Sequence, residues 1–113
     1  MTKPIILASG SSIRRELLEN AGVPVSVMPA RIDEDAIRQS LEAEDATPRD
    51  VADTLAEFKA RKISDKNPGA LVIGCDQVLE FKGQVMTKAP DVAAARAQLK
   101  KLRGNQHKLM SAA

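Results

Sequence analysis

The chain has 113 residues, of which 43% are hydrophobic and 28% charged. This size and composition are typical of one globular domain, which is expected to span residues 1–113. A net charge of only +2 and an aromatic content of 2% argue against a nucleic-acid partner bound through bulk charge or base stacking. The single cysteine excludes an internal disulfide, and the absence of a signal peptide or a bilayer-length apolar run predicts a cytoplasmic protein without a membrane partner.

The first predicted elements are a short strand at Pro4–Ala8 and a helix that ends near Gly22, joined by a Ser-Gly-Ser-Ser turn. The free N–H groups of such a helix start, the hydroxyls and the helix dipole together suit a phosphate. Arg14 and Arg15 add two cations in the first turn, where acids would be more favourable. An ordinary Ser-capped helix with two solvated arginines explains the same residues equally well.

Apolar residues in this first helix recur at helical spacing and are expected to face the core: Ile13, Leu17, Leu18 and Ala21. The alternation across Val23–Met28 then predicts a half-buried strand.

Two further helices are predicted before residue 67. The acids Asp33–Asp35 fit the N-terminus of the first helix, so chemistry is not needed to explain them. Thr47–Asp50 is a strong start for the second, with Thr47 as the N-cap and Pro48 at the first helical position. Three cations in its second half are each expected to lie on a solvated face: Lys59, Arg61 and Lys62.

The most apolar segment, Ala70–Leu79, predicts a central strand that is buried on both faces. Asp76 lies within it, and a buried carboxylate is unfavourable unless it is paired, hydrogen-bonded or bound to a metal. Gly74 indicates a close approach of backbone or ligand, whereas Cys75 is expected to be a small buried residue. Asp76 is therefore a candidate functional residue.

The remaining elements are a tight hairpin around Gly83, a helix from Asp91 to Gly104, and a strand within His107–Ala113. The order of strands and helices predicts an α/β fold.

An α/β fold can bring the phosphate-suited loop Ser9–Arg14 together with two acids, Glu34 and Asp76, and two lysines, Lys59 and Lys88. Carboxylates without a nearby His or Cys favour a hard cation such as Mg²⁺ over zinc. Cations and a hard metal around a phosphate loop are what phosphoryl chemistry requires.

Several segments, in order along the whole chain, resemble the Maf-type nucleoside triphosphate pyrophosphatases, also described as septum-formation inhibitors: LASGSSIRRELLENAGVP, the Asp33-Glu34 pair, LAEFKA, VIGCDQV, GQVMTKAP and LRGNQH. The resemblance implies a mixed central β-sheet flanked by helices, as in the Maf and inosine-triphosphatase folds. It also implies cleavage of a nucleotide between the α- and β-phosphates.

By the same resemblance, Asp76 is the expected general base and shares a divalent metal with Glu34. The metal is expected to be Mg²⁺, with Mn²⁺ or Co²⁺ as alternatives. The triphosphate is expected to contact four residues: Ser9, Arg14, Lys59 and Lys88.

Ile13 and Gln77 are the expected specificity positions. Family members that act on dTTP and UTP usually carry Arg and Thr there, so this chain looks closer to the 7-methyl-GTP pyrophosphatase branch. A side-chain amide can pair with a purine edge. A dTTP/UTP pyrophosphatase, and a non-catalytic nucleotide-binding or septum-regulating module, remain the alternatives.

The chain departs from the family pattern at three points. Ser12 replaces the usual Pro, and Lys88-Ala89-Pro90 replaces Lys-Pro. Family members are also longer, so the chain is expected to be the N-terminal part of an enzyme that forms a homodimer at full length.

Overall fold

The computed structural model describes residues 3–113, which form four helices and six short strands. The helices are α1 (Ser12–Asn20), α2 (Glu34–Ala43), α3 (Pro48–Lys66) and α4 (Val92–Leu102). The strands are β1 (Ile5–Leu7), β2 (Ser26–Val27), β3 (Leu71–Ile73), β4 (Asp76–Phe81), β5 (Gln84–Met86) and β6 (Lys108–Ala112). The predicted α/β class with mixed strand directions and flanking helices is confirmed.

The strands form two three-stranded sheets. The first is parallel, in the order β2-β1-β3, with Ile6 of β1 opposite Ser26 and Val72. The second is antiparallel, in the order β5-β4-β6, with Gln77 of β4 opposite Ser111 of β6. The carboxyl ends of β1 and β3 and the start of β4 therefore lie near one another, where a loop-borne site can form.

The prediction of one continuous strand over Ala70–Leu79 is wrong, because the ladder is interrupted between Ile73 and Asp76. Gly74 packs against the backbone of α3 at this break. A methyl group added there would lie 2.7 Å from the backbone nitrogen of Ala60 and closer still to the backbone oxygen of Ala56. The predicted close approach at Gly74 is therefore confirmed, and its partner is a helix backbone.

Helix α3 supplies much of the core. Val51, Ala52 and Leu55 pack with Val78 of β4 in one apolar cluster. Ile63, further along α3, packs with residues of β1 and the segment after it in a second cluster. One helix thus backs both sheets, and it fixes their relative position.

Several expectations about burial are wrong. Ile13 and Leu17 of α1 are 67% and 65% exposed. Cys75 is only partly buried. A helical spacing of apolar residues marks a stripe on the helix, but the residues of α1 in this stripe have little packed against them.

The local signals for helix ends and turns are confirmed. Thr47 and Asp50 form a reciprocal capping box at the start of α3, and Asp91 caps α4. Gly22 follows α1 with φ +80°, and Lys82 and Gly83 both have positive φ in the two-residue hairpin loop. In the part of the chain from residue 3 to 113, no helix is long and apolar enough to cross a membrane.

Candidate active site

A cleft of about 900 Å³ opens between the loop after β1, the first turns of α1 and α2, and the start of β4. All eight site residues predicted from the sequence line it: Ser9, Ile13, Arg14, Glu34, Lys59, Asp76, Gln77 and Lys88. The fold therefore brings together residues that lie up to 79 positions apart in the chain.

The loop after β1 is held in place by its own hydroxyl groups. The buried Ser9 Oγ accepts hydrogen bonds from the Ser11 backbone N–H at 3.2 Å and from Arg14 Nη1 at 3.1 Å. Ser11 Oγ accepts from the Arg14 backbone N–H at 3.3 Å and so caps α1. The first turn of α1 faces the cleft with this cap and the helix dipole, an arrangement that suits an anion.

The two arginines of α1 have different surroundings. Arg14 is partly buried, and its Nη1 also lies 3.4 Å from the backbone oxygen of Cys75, which joins the loop to the start of β4. Arg15 is exposed and pairs with Glu19 at 2.8 Å along the helix. Of the two arginines of α1, Arg14 is therefore the one available to a ligand in the cleft.

Lys59 joins the two acids of the cleft. Its Nζ lies 2.6 Å from Glu34 Oε1 and 2.9 Å from Asp76 Oδ1. The side chains of Lys59 and Asp76 are only 14% and 11% exposed, whereas Glu34 is 41% exposed. The expectation that Lys59 lies on a solvated face is therefore wrong, while Arg61, two residues on, is exposed and pairs with Glu57.

This contact shifts the pKa of Lys59. Burial, the largest single influence, lowers the pKa of its ammonium group, but the hydrogen bonds and charges of Glu34 and Asp76 together raise the pKa above the ordinary value. Lys59 consequently stays charged at physiological pH and offsets the charge of both carboxylates.

We expect Lys59→Met to lower the free energy of unfolding at pH 7 by about 2 kcal/mol. This is less than the loss of about 3–5 kcal/mol typical of a broken buried pair, because water screens the exposed part of Glu34. Folding raises the pKa of Lys59. The stabilisation by the charged Lys59 is therefore fully present below the unfolded-state pKa of about 10.4, and it is lost as the pH rises through the pKa of the folded state. Denaturant unfolding followed by circular dichroism between pH 7 and 11 measures this difference.

Lys66→Met, at an exposed lysine of the same helix, is the control. It should differ little from the unsubstituted chain at every pH. A Lys59→Met deficit that grew with pH would contradict the pairing.

The two specificity candidates, Ile13 and Gln77, both line the cleft. Gln77 follows Asp76 on β4, and its Nε2 donates to Ser111 Oγ of β6 at 2.9 Å. Ile13 is exposed on the first turn of α1. Lys88 is an exposed residue just after β5, and it lines the cleft although Ala89 separates it from Pro90.

The sequence prediction missed Arg38, which also lines the cleft. It lies four residues after Glu34 on α2, and residues at this spacing share one helix face. That spacing was the available signal, because a helix that presents Glu34 to the cleft also presents Arg38.

The donor set fits a hard divalent cation. Mg²⁺ is usually held in proteins by one or two carboxylates together with water and substrate phosphates. Glu34 and Asp76 supply two carboxylates around one point of the cleft, at present bridged by Lys59. Across residues 3–113, no cluster of three or more His, Cys, Asp or Glu side chains is placed to hold a metal. The residues therefore suit a cation shared with a phosphate ligand rather than a closed structural metal site.

Comparison with known proteins assigns a family. The model of the family described as "Maf-like protein" matches residues 4–113. A nucleoside triphosphate pyrophosphatase of Ruegeria pomeroyi is 57% identical over 113 residues, which are 100% of this chain and 57% of the relative. A 7-methyl-GTP pyrophosphatase of Brucella abortus is 50% identical over 112 residues, 99% of this chain and 56% of the relative.

A nucleoside triphosphate pyrophosphatase of Caulobacter vibrioides is 54% identical over 109 residues, covering 96% of this chain and 54% of the relative. The chain thus spans a little over half the length of the curated relatives it matches. The family match covers the loop, both acids and all the candidate contacts of the cleft. The chain therefore belongs to the Maf-like protein family.

Proposed function

We propose that this chain carries the catalytic cleft of a nucleoside triphosphate pyrophosphatase. Water would attack the phosphoanhydride bond between the α- and β-phosphates and give a nucleoside monophosphate and pyrophosphate. The observation that carries the proposal is the pair of carboxylates, Glu34 and Asp76, bridged by Lys59 and facing the loop Ser9–Arg14. The names of the similar pyrophosphatases support it.

Five residues of the cleft have a defined task in this proposal. The Asp76 carboxylate accepts the proton of the attacking water. Arg14 and Lys88 bind phosphate oxygens, and Ser9 positions the Arg14 guanidinium through the hydrogen bond to its Nη1. Lys59 keeps the two carboxylates together and offers its charge to the phosphates. These tasks neutralise the charge that develops on the reacting phosphate.

Glu34 and Asp76 would hold the divalent cation, for which Mg²⁺ is the proposed identity. When bound, such a cation polarises phosphate oxygens and lowers the pKa of a bound water. The ammonium group of Lys59 bridges the same two carboxylates, so we expect it to be drawn towards the phosphates when cation and nucleotide bind together.

The proposed substrate is 7-methyl-GTP. Gln77 supports this choice because one N–H of its amide is engaged by Ser111, which leaves the Oε1 acceptor and the second N–H for a base edge. The relative from Brucella abortus with this name supports it as well. We further propose a cytoplasmic location; the homodimer implied by the family resemblance stays a prediction.

A nucleotide panel tests the proposal. The chain is incubated with 7-methyl-GTP, GTP, dTTP and UTP, with Mg²⁺ or with excess EDTA, and pyrophosphate is measured. We expect metal-dependent release that is fastest with 7-methyl-GTP. Faster release from dTTP and UTP would transfer the substrate assignment to the pyrimidine nucleotides, and release that is unchanged in EDTA would contradict the role given to the cation.

A non-catalytic nucleotide-binding module is the second candidate. It is favoured by one observation, the pairing of both carboxylates with Lys59, which satisfies these acids without a metal. It predicts tight binding of the triphosphate in the same panel with no release of pyrophosphate, with or without Mg²⁺.

A further inference from the structure

Arg38 forms part of the cleft wall, although none of the proposed catalytic roles uses its charge. It lies one turn after Glu34 on α2, and both side chains line the cleft. The Arg38 side chain is only 17% exposed, which is unusual for an arginine in the absence of a charged partner of similar burial.

The partners of the Arg38 guanidinium leave most of its donors free. Nη1 donates to Asp35 Oδ1 at 2.7 Å, but the Asp35 side chain is 81% exposed, so this pair is screened by water. Nε is buried and, within residues 3–113, finds no hydrogen-bond partner. A guanidinium group has five N–H donors, and burial of unpaired donors is unfavourable. An anionic ligand in the cleft would relieve this deficit.

The charges around the cleft favour a negatively charged ligand. Four cations line it, Arg14, Arg38, Lys59 and Lys88, against three carboxylates, Glu34, Asp35 and Asp76. Lys59 already balances much of the charge of Glu34 and Asp76. The cations that Glu34 and Asp76 do not engage are available to several phosphates at once.

We propose that Arg38 binds the polyphosphate part of the nucleotide, with two of its N–H groups donating to phosphate oxygens. This step rests on the proposed function, since it takes a nucleoside triphosphate as the ligand. Arginine is suited to the task because its planar fork matches two oxygens of one phosphate. Arg38 would move away from Asp35 and towards the ligand, and the exposed Asp35 would remain solvated.

Affinity measurements on the 113-residue chain test the proposal. Dissociation constants for 7-methyl-GTP, 7-methyl-GMP and inorganic tripolyphosphate are measured by calorimetry in EDTA, where turnover is not expected. We expect Arg38→Gln to weaken binding of 7-methyl-GTP and of tripolyphosphate by about tenfold to a hundredfold. Binding of the monophosphate should weaken by less than about threefold, and Arg38→Lys should restore part of the loss.

Two further variants separate a role in binding from a role in structure. Arg61→Gln removes another α-helical arginine that pairs with a neighbouring acid, but on an exposed surface, and it should leave all three affinities unchanged. Asp35→Asn keeps Arg38 and removes its competing carboxylate, so binding of 7-methyl-GTP and of tripolyphosphate should tighten. Weaker triphosphate binding in Asp35→Asn would count against the assignment even if Arg38→Gln fails to fold.

Equal affinities for the triphosphate in Arg38→Gln and the unsubstituted chain would overturn the assignment of Arg38. An equal loss for the monophosphate and the triphosphate would overturn the assignment to the polyphosphate part, as would weaker triphosphate binding in Asp35→Asn. In each of these cases, the unsubstituted chain still binds 7-methyl-GTP, and the proposed function survives. If the unsubstituted chain binds neither 7-methyl-GTP nor tripolyphosphate, both the proposed function and the role of Arg38 fail.

Discussion

Asp76→Asn should lower the rate of pyrophosphate release by about a hundredfold to ten-thousandfold, the range typical of the loss of a general base. Asparagine has nearly the same shape as aspartate, but it is a far weaker proton acceptor and carries no charge for a cation. The substitution also removes a negative charge that would repel phosphates. We therefore expect nucleotide affinity measured in EDTA to stay the same or to increase, while kcat falls.

Asp65→Asn is the matched control, because Asp65 is an exposed carboxylate near the end of α3 and away from the cleft. It should leave both kcat and affinity unchanged. Pyrophosphate release by Asp76→Asn within tenfold of the unsubstituted chain would contradict the role of Asp76. A fall in kcat that is accompanied by loss of the circular dichroism spectrum would instead indicate damage to the fold, so the spectrum is recorded for both variants.

Gly74→Ala should be the most destabilising single methyl addition in the core region. The new methyl group would lie within 2.7 Å of the Ala60 nitrogen, and the Ala56 oxygen would be closer still. Both atoms belong to the backbone of α3, so the helix and the strand end must move apart. We expect the free energy of unfolding to fall by about 3 kcal/mol, at the upper end of the range for overpacked cores. Because α3 carries Lys59, the remaining folded protein should also lose activity.

Gly10→Ala provides the comparison for stability. A methyl group at Gly10 would lie 3.9 Å from the Pro29 side chain, an ordinary van der Waals distance, so the free energy of unfolding should change by less than about 0.5 kcal/mol. The chain lacks Trp and Tyr, and denaturant unfolding is therefore followed by circular dichroism. Equal stability of the two variants would mean that β3 and α3 are not packed as described.

The predictable parts of the fold are those determined by neighbouring residues. Three such features are confirmed, and all depend on local backbone chemistry: the capping box of Thr47 and Asp50, the left-handed backbone conformation of Gly22, and the hairpin at Lys82-Gly83. The break after Ile73 was not predictable, because Gly74 there packs against the backbone of α3, a contact between segments about fifteen residues apart in the chain. Apolar spacing likewise placed Ile13 and Leu17 on one stripe but could not show whether another element covers it.

The candidate site shows the same division. The family resemblance identified the eight residues that the fold gathers in one cleft, but not the ion pairs among them. Lys59 pairs with Asp76, 17 residues away in the chain, and with Glu34 on another helix. Neither contact is visible in the sequence around Lys59, so the prediction that Lys59 is solvated was reasonable but wrong. Arg38 lies at the i+4 position from Glu34, but which face of α2 lines the cleft depends on how α2 packs against α3, which the local sequence does not show.

We propose that this cleft hydrolyses the bond between the α- and β-phosphates of a nucleoside triphosphate. Phosphorus-31 NMR of the reaction with 7-methyl-GTP and Mg²⁺ tests it most directly, because the products of each possible cleavage have separate resonances. We expect equal amounts of nucleoside monophosphate and pyrophosphate, formed with Mg²⁺ and nearly lost in Asp76→Asn. Formation of nucleoside diphosphate and orthophosphate, or an unchanged spectrum from a chain that binds the nucleotide, would contradict it.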